Sequence, residues 1–190
     1  MGRVNVILAL SSAFNEKFRL PQVFYIRKED KTMTVDTRRS AAVTRAVSRY
    51  SADLVRLAYS YLLCRADAQD AVQDAFMSYL KHAPEFENEE KEKAWLMKVT
   101  ANRCRNVLRS PWFKNRAPIP EDLPADGDSR EVILALGKLA KKYRMCVHLH
   151  YYEGYSINEI AQMLGAKPAT VGTWLSRARE QLKQELGGEL

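Results

Sequence analysis

Between Lys93 and Arg116 the sequence carries seven basic side chains, Lys93, Lys98, Arg103, Arg105, Arg109, Lys114 and Arg116, with no intervening carboxylate. A solvated helix ordinarily mixes its signs, so a one-sign run of this kind points to phosphate binding. Two other groupings invite chemistry. Asp70 and Asp74 stand one helical turn apart, as paired catalytic carboxylates do. With no His, metal cluster or glycine-rich phosphate loop beside them, a partner-binding surface is the better reading. Cys146, His148 and His150 offer metal-ligating atoms, yet on a helix Cys146 and His150 share a face that His148 does not, and a fourth ligand is not evident. No catalytic residue, metal site or cofactor is therefore expected.

The charge and length of the chain set the frame for that basic run. Lys and Arg number 30 against 23 Asp and Glu, a net charge of +7 that favours polyanionic partners, and 190 residues fit one ordinary domain or two small ones. The three cysteines, Cys64, Cys104 and Cys146, form no CxxC pair and no even-numbered framework, so a reducing cytoplasm is the expected setting. Val6 to Leu10 is too short for a signal-peptide core, and no segment approaches the ~20 apolar residues of a membrane span.

Helices must position these groups. Val43, Val47, Tyr50, Leu54, Leu57 and Tyr61 recur near the helical period. After Cys64, Asp67 is expected to cap a second helix that buries Ala68, Ala71, Val72, Ala75, Phe76, Tyr79 and Leu80 and turns Asp70, Gln73, Asp74 and Met77 outward. His82 to Glu92, with Pro84 and Phe86, reads as a loop. A third helix from near Lys91 buries Trp95, Leu96, Val99, Val107 and Leu108, and sets Lys98, Asn102, Arg105 and Arg109 along another side. Ser110 to Arg130 holds Pro111, Pro118, Pro120, Pro124 and four carboxylates, so it breaks the helical run and separates two domains.

Beyond it, helical periodicity resumes over Val132–Leu139 and Tyr143–Tyr152. Ser156 with Glu159 then forms a capping-box pattern, Gly165 suits a left-handed turn, and Pro168 suits the first turn of a following helix. Ile160, Ala161 and Leu164 face Val171, Leu175, Ala178 and Leu182 inside, which describes a helix-turn-helix. Lys167, Thr170, Thr173, Arg177 and Arg179 lie outside, residue types that read phosphates and base edges in a major groove.

Tyr50–Ala58, Asp67–Phe76 and Ala94–Asn106, followed by Tyr143–Gly154 and Ser156–Leu182, resemble in type and order the extracytoplasmic-function (ECF) subfamily of the bacterial sigma-70 family RNA polymerase sigma factors. The resemblance covers roughly residues 44–186. It implies an all-α chain of two small helical domains joined by a flexible linker. Sigma region 2 would span 41–110, an acidic Pro-containing linker 111–129, and sigma region 4 with its helix-turn-helix 130–188. Residues 1–40 would be an N-terminal extension, disordered or upstream of the true start.

By the same resemblance, Asp70, Gln73, Asp74 and Met77 bind core RNA polymerase. Lys98, Asn102, Arg103, Arg105, Asn106 and Arg109, with Phe86 as a weaker candidate, hold the non-template single strand of the minus-ten element, one base flipped into a pocket. Lys167, Thr170, Thr173, Arg177 and Arg179 meet the minus-thirty-five duplex. Gly172 stands where relatives often carry Lys or Arg, and Trp174 where Arg is common. The implied role is an alternative, stress- or signal-responsive sigma acting in the cytoplasm, without a catalytic residue or cofactor of its own, and an anti-sigma factor is an implied partner. The competing reading is a helix-turn-helix regulator that is not a polymerase subunit. It fits poorly, because the N-terminal half lacks the strand and helix alternation of a receiver.

Overall fold

The computed structural model describes residues 37–82, 85–110 and 134–186, and the described residues form helices and connecting turns with no strand. The expected linker 111–129 lies outside the described residues, and so does the expected N-terminal extension apart from residues 37–40, which already belong to the first helix.

Helix α1 (Thr37–Leu62) begins amphipathic, with Ala46 and Tyr50 buried on one side. From Leu54 on it is buried almost all round, through Val55, Leu57, Ala58, Tyr59, Tyr61 and Leu62. Its second half is sandwiched between two sets of helices, the condition under which a helix is apolar on every face. The chain turns at Leu63, a buried residue held in the left-handed region at φ 57°, which an L side chain adopts only when its surroundings hold it there.

Helix α2 (Arg65–His82) starts two residues before Asp67, because the Cys64 carbonyl already accepts the Ala68 amide at 3.0 Å. Asp67 therefore sits in the first turn, where a carboxylate favours the helix dipole, and is not the cap expected from the sequence. Helix α3 (Glu89–Arg109) is capped by Asn88, whose side chain accepts the Lys91 amide at 2.9 Å, with Glu89, Glu90 and Glu92 in its first turn. It buries Leu96, Met97, Thr100, Ala101 and Cys104. Helices α1 to α3 pack pairwise into the N-terminal bundle.

Residues 134–138 are helical, and α4 (Lys141–Val147) runs into a π-helical turn at His148–Tyr152. Helices α5 (Ile157–Leu164) and α6 (Pro168–Glu185) complete the C-terminal bundle, with α6 packed on both α4 and α5. The two bundles meet: α4 lies on α1 and α5 on α3, and one apolar core runs through both. Among the described residues, no helix is long and apolar enough to cross a membrane.

Candidate nucleic-acid interface

On α2, Asp70 and Asp74 are exposed and Gln73 and Met77 half-buried, while Ala71, Val72, Ala75 and Phe76 are buried beneath them. The four polar or soft side chains fall at three- and four-residue steps and so share one outward face.

The basic stripe lies along α3. Lys98, Asn106 and Arg109 are exposed, and Asn102 and Arg105 half-buried. The fold brings Lys98, Asn102, Arg105 and Arg109 onto one side. Arg103 is turned the other way and donates to the Ser78 hydroxyl of α2 at 2.8 Å. Arg105 has two acceptors, the Asn102 side-chain oxygen and the Leu164 carbonyl at 2.8 Å.

Trp95 is half-buried, as the amphipathic pattern of α3 suggested, and packs in an aromatic trio with Tyr79 and Phe86 at centroid separations of 5.8 and 5.9 Å. Beside this trio a hollow of about 430 Å³ opens, with Arg45, Arg49, Tyr50, Phe86 and Glu92 among its walls. Glu92 accepts from the Tyr50 hydroxyl at 3.2 Å and from the Tyr79 hydroxyl. Burial first, and then the Glu92 carboxylate, push the Tyr79 phenol well above its ordinary pKa. Sequence reasoning missed this hollow, although Arg45 stands about one turn before Arg49 and Tyr50.

The helix-turn-helix has the local structure its sequence requires. Ser156 accepts the Glu159 amide at 3.3 Å, and the Glu159 carboxylate accepts the Ser156 amide at 2.8 Å, closing the capping box. Gly165 is left-handed at φ 63° and Pro168 opens α6. On α6, Thr173, Arg177 and Arg179 are exposed, as is Lys167 just before it, while Thr170 is half-buried. The Thr173 hydroxyl bonds back to the Ala169 carbonyl at 2.9 Å. A hydrogen bond with Tyr143 raises the Arg177 pKa. Trp174 is half-buried, with the Lys142 ammonium 5.4 Å from its ring centroid.

A polar network unforeseen in the sequence joins the bundles. Lys93 of α3 lies 2.9 Å from Asp53 of α1 and 2.8 Å from Glu153, which follows the π-turn. The second Glu153 oxygen is 3.4 Å from His148, and both of those side chains are only 3% exposed. Burial opposes ionisation of Glu153, and bonding to His148 and Lys93 outweighs it, so its carboxyl lies below the usual range. Burial is also what holds His148 below its ordinary pKa. Of the groups that suggested a metal, Cys146 is fully buried with its thiol pushed up to about 12, His148 stacks on Tyr152, and His150 is 2.9 Å from the Tyr155 carbonyl.

Comparison with known proteins supplies the context for these surfaces. Residues 46–113 match the family model described as Sigma-70 region 2, and residues 129–182 the one described as Sigma-70, region 4. The ECF RNA polymerase sigma factor SigM of Mycobacterium tuberculosis is 31% identical over 145 residues, covering 73% of this chain and 74% of that protein. The RNA polymerase sigma factor SigV of Bacillus subtilis is 27% identical over 158 residues, covering 78% of this chain and 93% of its own. Among solved structures, the sigma factor RpoE in complex with the anti-sigma factor NepR from Bartonella quintana superposes with a TM-score of 0.64 at 23% identity, covering 76% of this chain and 96% of that one. CnrH in complex with the cytosolic domain of CnrY gives 0.58 at 21% identity, covering 100% and 99%. At these identities the two structures speak to the fold alone. With both sigma-70 regions in order and a relationship to SigM that extends over most of both chains, the protein belongs to the ECF family of RNA polymerase sigma factors, which bind core polymerase and promoter DNA to direct transcription initiation and are not enzymes.

Proposed function

We propose that the family's work is divided along this chain between three surfaces. The outward face of α2, with Asp70, Gln73, Asp74 and Met77, docks on core polymerase. The α3 stripe of Lys98, Asn102, Arg105, Asn106 and Arg109, with Arg103 at its edge, holds the single non-template strand of the minus-ten element. Lys167, Thr170, Thr173, Arg177 and Arg179 meet the minus-thirty-five duplex. Region 2 spans 41–110 and region 4 130–188 in this reading, with 111–129 as the linker.

The observation that carries the proposal is the sign-segregated surface of the N-terminal bundle. An acidic and amide outward face on α2 and an α3 stripe whose exposed charges are all cationic belong to separate helices of one bundle. Phosphates demand the second, and backbone contacts of this kind supply most of the affinity for nucleic acid. The same reading places the chain in the cytoplasm with its polymerase. It gives the chain an anti-sigma partner, of the kind that RpoE of Bartonella quintana has in NepR.

Holoenzyme reconstituted from core polymerase and this chain, given fragmented genomic DNA of the encoding bacterium, should start RNA at a discrete set of sites that share two sequence elements. Scattered starts like those of core polymerase alone would reject the proposal. Changing Lys98 and Arg109 to Ala should reduce strand opening at those sites, read by permanganate reactivity, more than it reduces polymerase binding.

A further inference from the structure

From Pro168 to Ser176, the opening turns of α6 carry no charged and no amide side chain. In a recognition helix these are the turns that meet base edges. The pairings by which side chains read bases in the major groove are few. Arginine or lysine takes guanine, asparagine or glutamine takes adenine, and a carboxylate takes cytosine. None of these residue types is present in the segment, and the nearest cations stand at its margins. Lys167 precedes the helix as its N-cap residue, and Arg177 is hydrogen-bonded to Tyr143 of α4. Both placements suit phosphates, contacts that fix position and carry no sequence information.

What the segment turns outward is methyl groups. Thr173 is exposed and, midway in sequence between the buried Val171 and Leu175, lies on the opposite side of the helix from them. Its hydroxyl donates to the Ala169 carbonyl at 2.9 Å. That bond uses the hydroxyl hydrogen inside the helix and leaves the methyl without an intrahelical role. Ala169, one turn earlier on the same face, is exposed and offers a second methyl. Gly172, next to Thr173, carries no side chain, although a Cβ there would meet nothing within 4 Å. A glycine inside a helix is costly, and packing does not require this one; what it permits is close approach of the backbone to a ligand. Thymine is the base with a methyl group in the major groove, and threonine or alanine methyls are its apolar partners.

We infer that this sigma factor reads its minus-thirty-five element by apolar contact with thymine methyl groups, and that the Thr173 methyl is the group that sets this specificity. The inference rests on the assignment of α6 to the minus-thirty-five duplex. It divides the work of that helix: Lys167 and Arg177 hold the phosphates at the margins, Gly172 lets the backbone sit close to the bases, and Thr173 selects among them. An element chosen in this way carries thymine, on one strand or the other, at the position beneath Thr173.

The test removes one methyl from each side of the contact. Holoenzyme assembled from core polymerase and the full chain would be bound, in competition, to a duplex promoter taken from its mapped start sites. Each thymine of the upstream element is replaced in turn by deoxyuridine, which keeps every hydrogen-bonding group and lacks only the methyl. The protein counterpart is Thr173→Ser, which keeps the hydroxyl and lacks only the methyl. At one thymine or more, wild-type holoenzyme should bind the uracil form about threefold more weakly, as expected for one methyl lost from an apolar contact. Thr173→Ser should bind the thymine form more weakly by the same factor and no longer distinguish the two. An upstream element without thymine, or wild-type binding unchanged at every substituted position, would overturn the inference. Discrimination kept in full by Thr173→Ser would overturn the role of Thr173. A Lys167→Ala, Arg177→Ala variant tests the underlying assignment separately. Weaker binding to the thymine and uracil forms alike supports it, whereas unchanged binding to both refutes the assignment of α6 to this duplex.

Discussion

The Lys93 ammonium lies 2.8 Å from one Glu153 oxygen while His148 stands 3.4 Å from the other, so a single buried carboxylate ties α3 to the π-turn of the C-terminal bundle. A pH dependence of stability follows. Burial holds His148 below its ordinary pKa of 6.5, so as pH falls the unfolded chain takes up this proton before the folded one does. Its contribution is complete above about pH 6.5 and is lost as pH falls toward the folded value. Glu153, with a folded pKa below the ordinary 4.5, adds a second loss at lower pH, as its carboxylate protonates. Thermal melting should be flat near neutrality and decline below about pH 6.5, and His148→Gln should remove the upper step. An identical profile in that variant would refute the assignment.

The capping box makes a local prediction. Ser156 and Glu159 exchange bonds to each other's amide at the start of α5. Ser156→Ala should cost about 1 kcal/mol, read as a lower midpoint in denaturant unfolding at unchanged slope. Glu159→Ala should add less in that background than on its own, because the two side chains act as one unit.

Gly172 sits inside α6, and a Cβ built there meets nothing within 4 Å. A glycine inside a helix is destabilising by roughly 0.5–1 kcal/mol relative to alanine. Gly172→Ala should therefore raise the midpoint of unfolding by about that amount. A loss of stability would mean that α6 needs the glycine for a reason other than space.

The parts readable in the sequence were those carried by contacts within a turn or two. Ser156, Glu159, Gly165 and Pro168 announce the helix-turn-helix because capping, left-handed turning and the first helical turn each select residue types locally. The acidic α2 face and the α3 stripe follow from helical period alone. Periodicity does not say which member of a basic run is turned inward: Arg103 goes to Ser78 and Arg105 to Leu164, the latter 59 residues away. Nothing local in the sequence marks Arg144 for burial, and the packing of α4 on α1 buries it against the Tyr61 carbonyl. The cap expected at Asp67 falls two residues late, since the left-handed Leu63 turn that precedes the Cys64 carbonyl has no signature in a leucine.

Docking on core polymerase through the outward face of α2 is the claim on which the account stands. Purified chain and its Asp70→Ala, Gln73→Ala, Asp74→Ala variant would each be mixed with bacterial core RNA polymerase and resolved by size-exclusion chromatography. The wild type should co-elute with polymerase, and the variant, equally helical, should need about tenfold more protein to reach the same occupancy. A variant that co-elutes as well as the wild type would contradict the assignment of this face. A wild type that binds duplex DNA but never polymerase would contradict its action as a sigma factor.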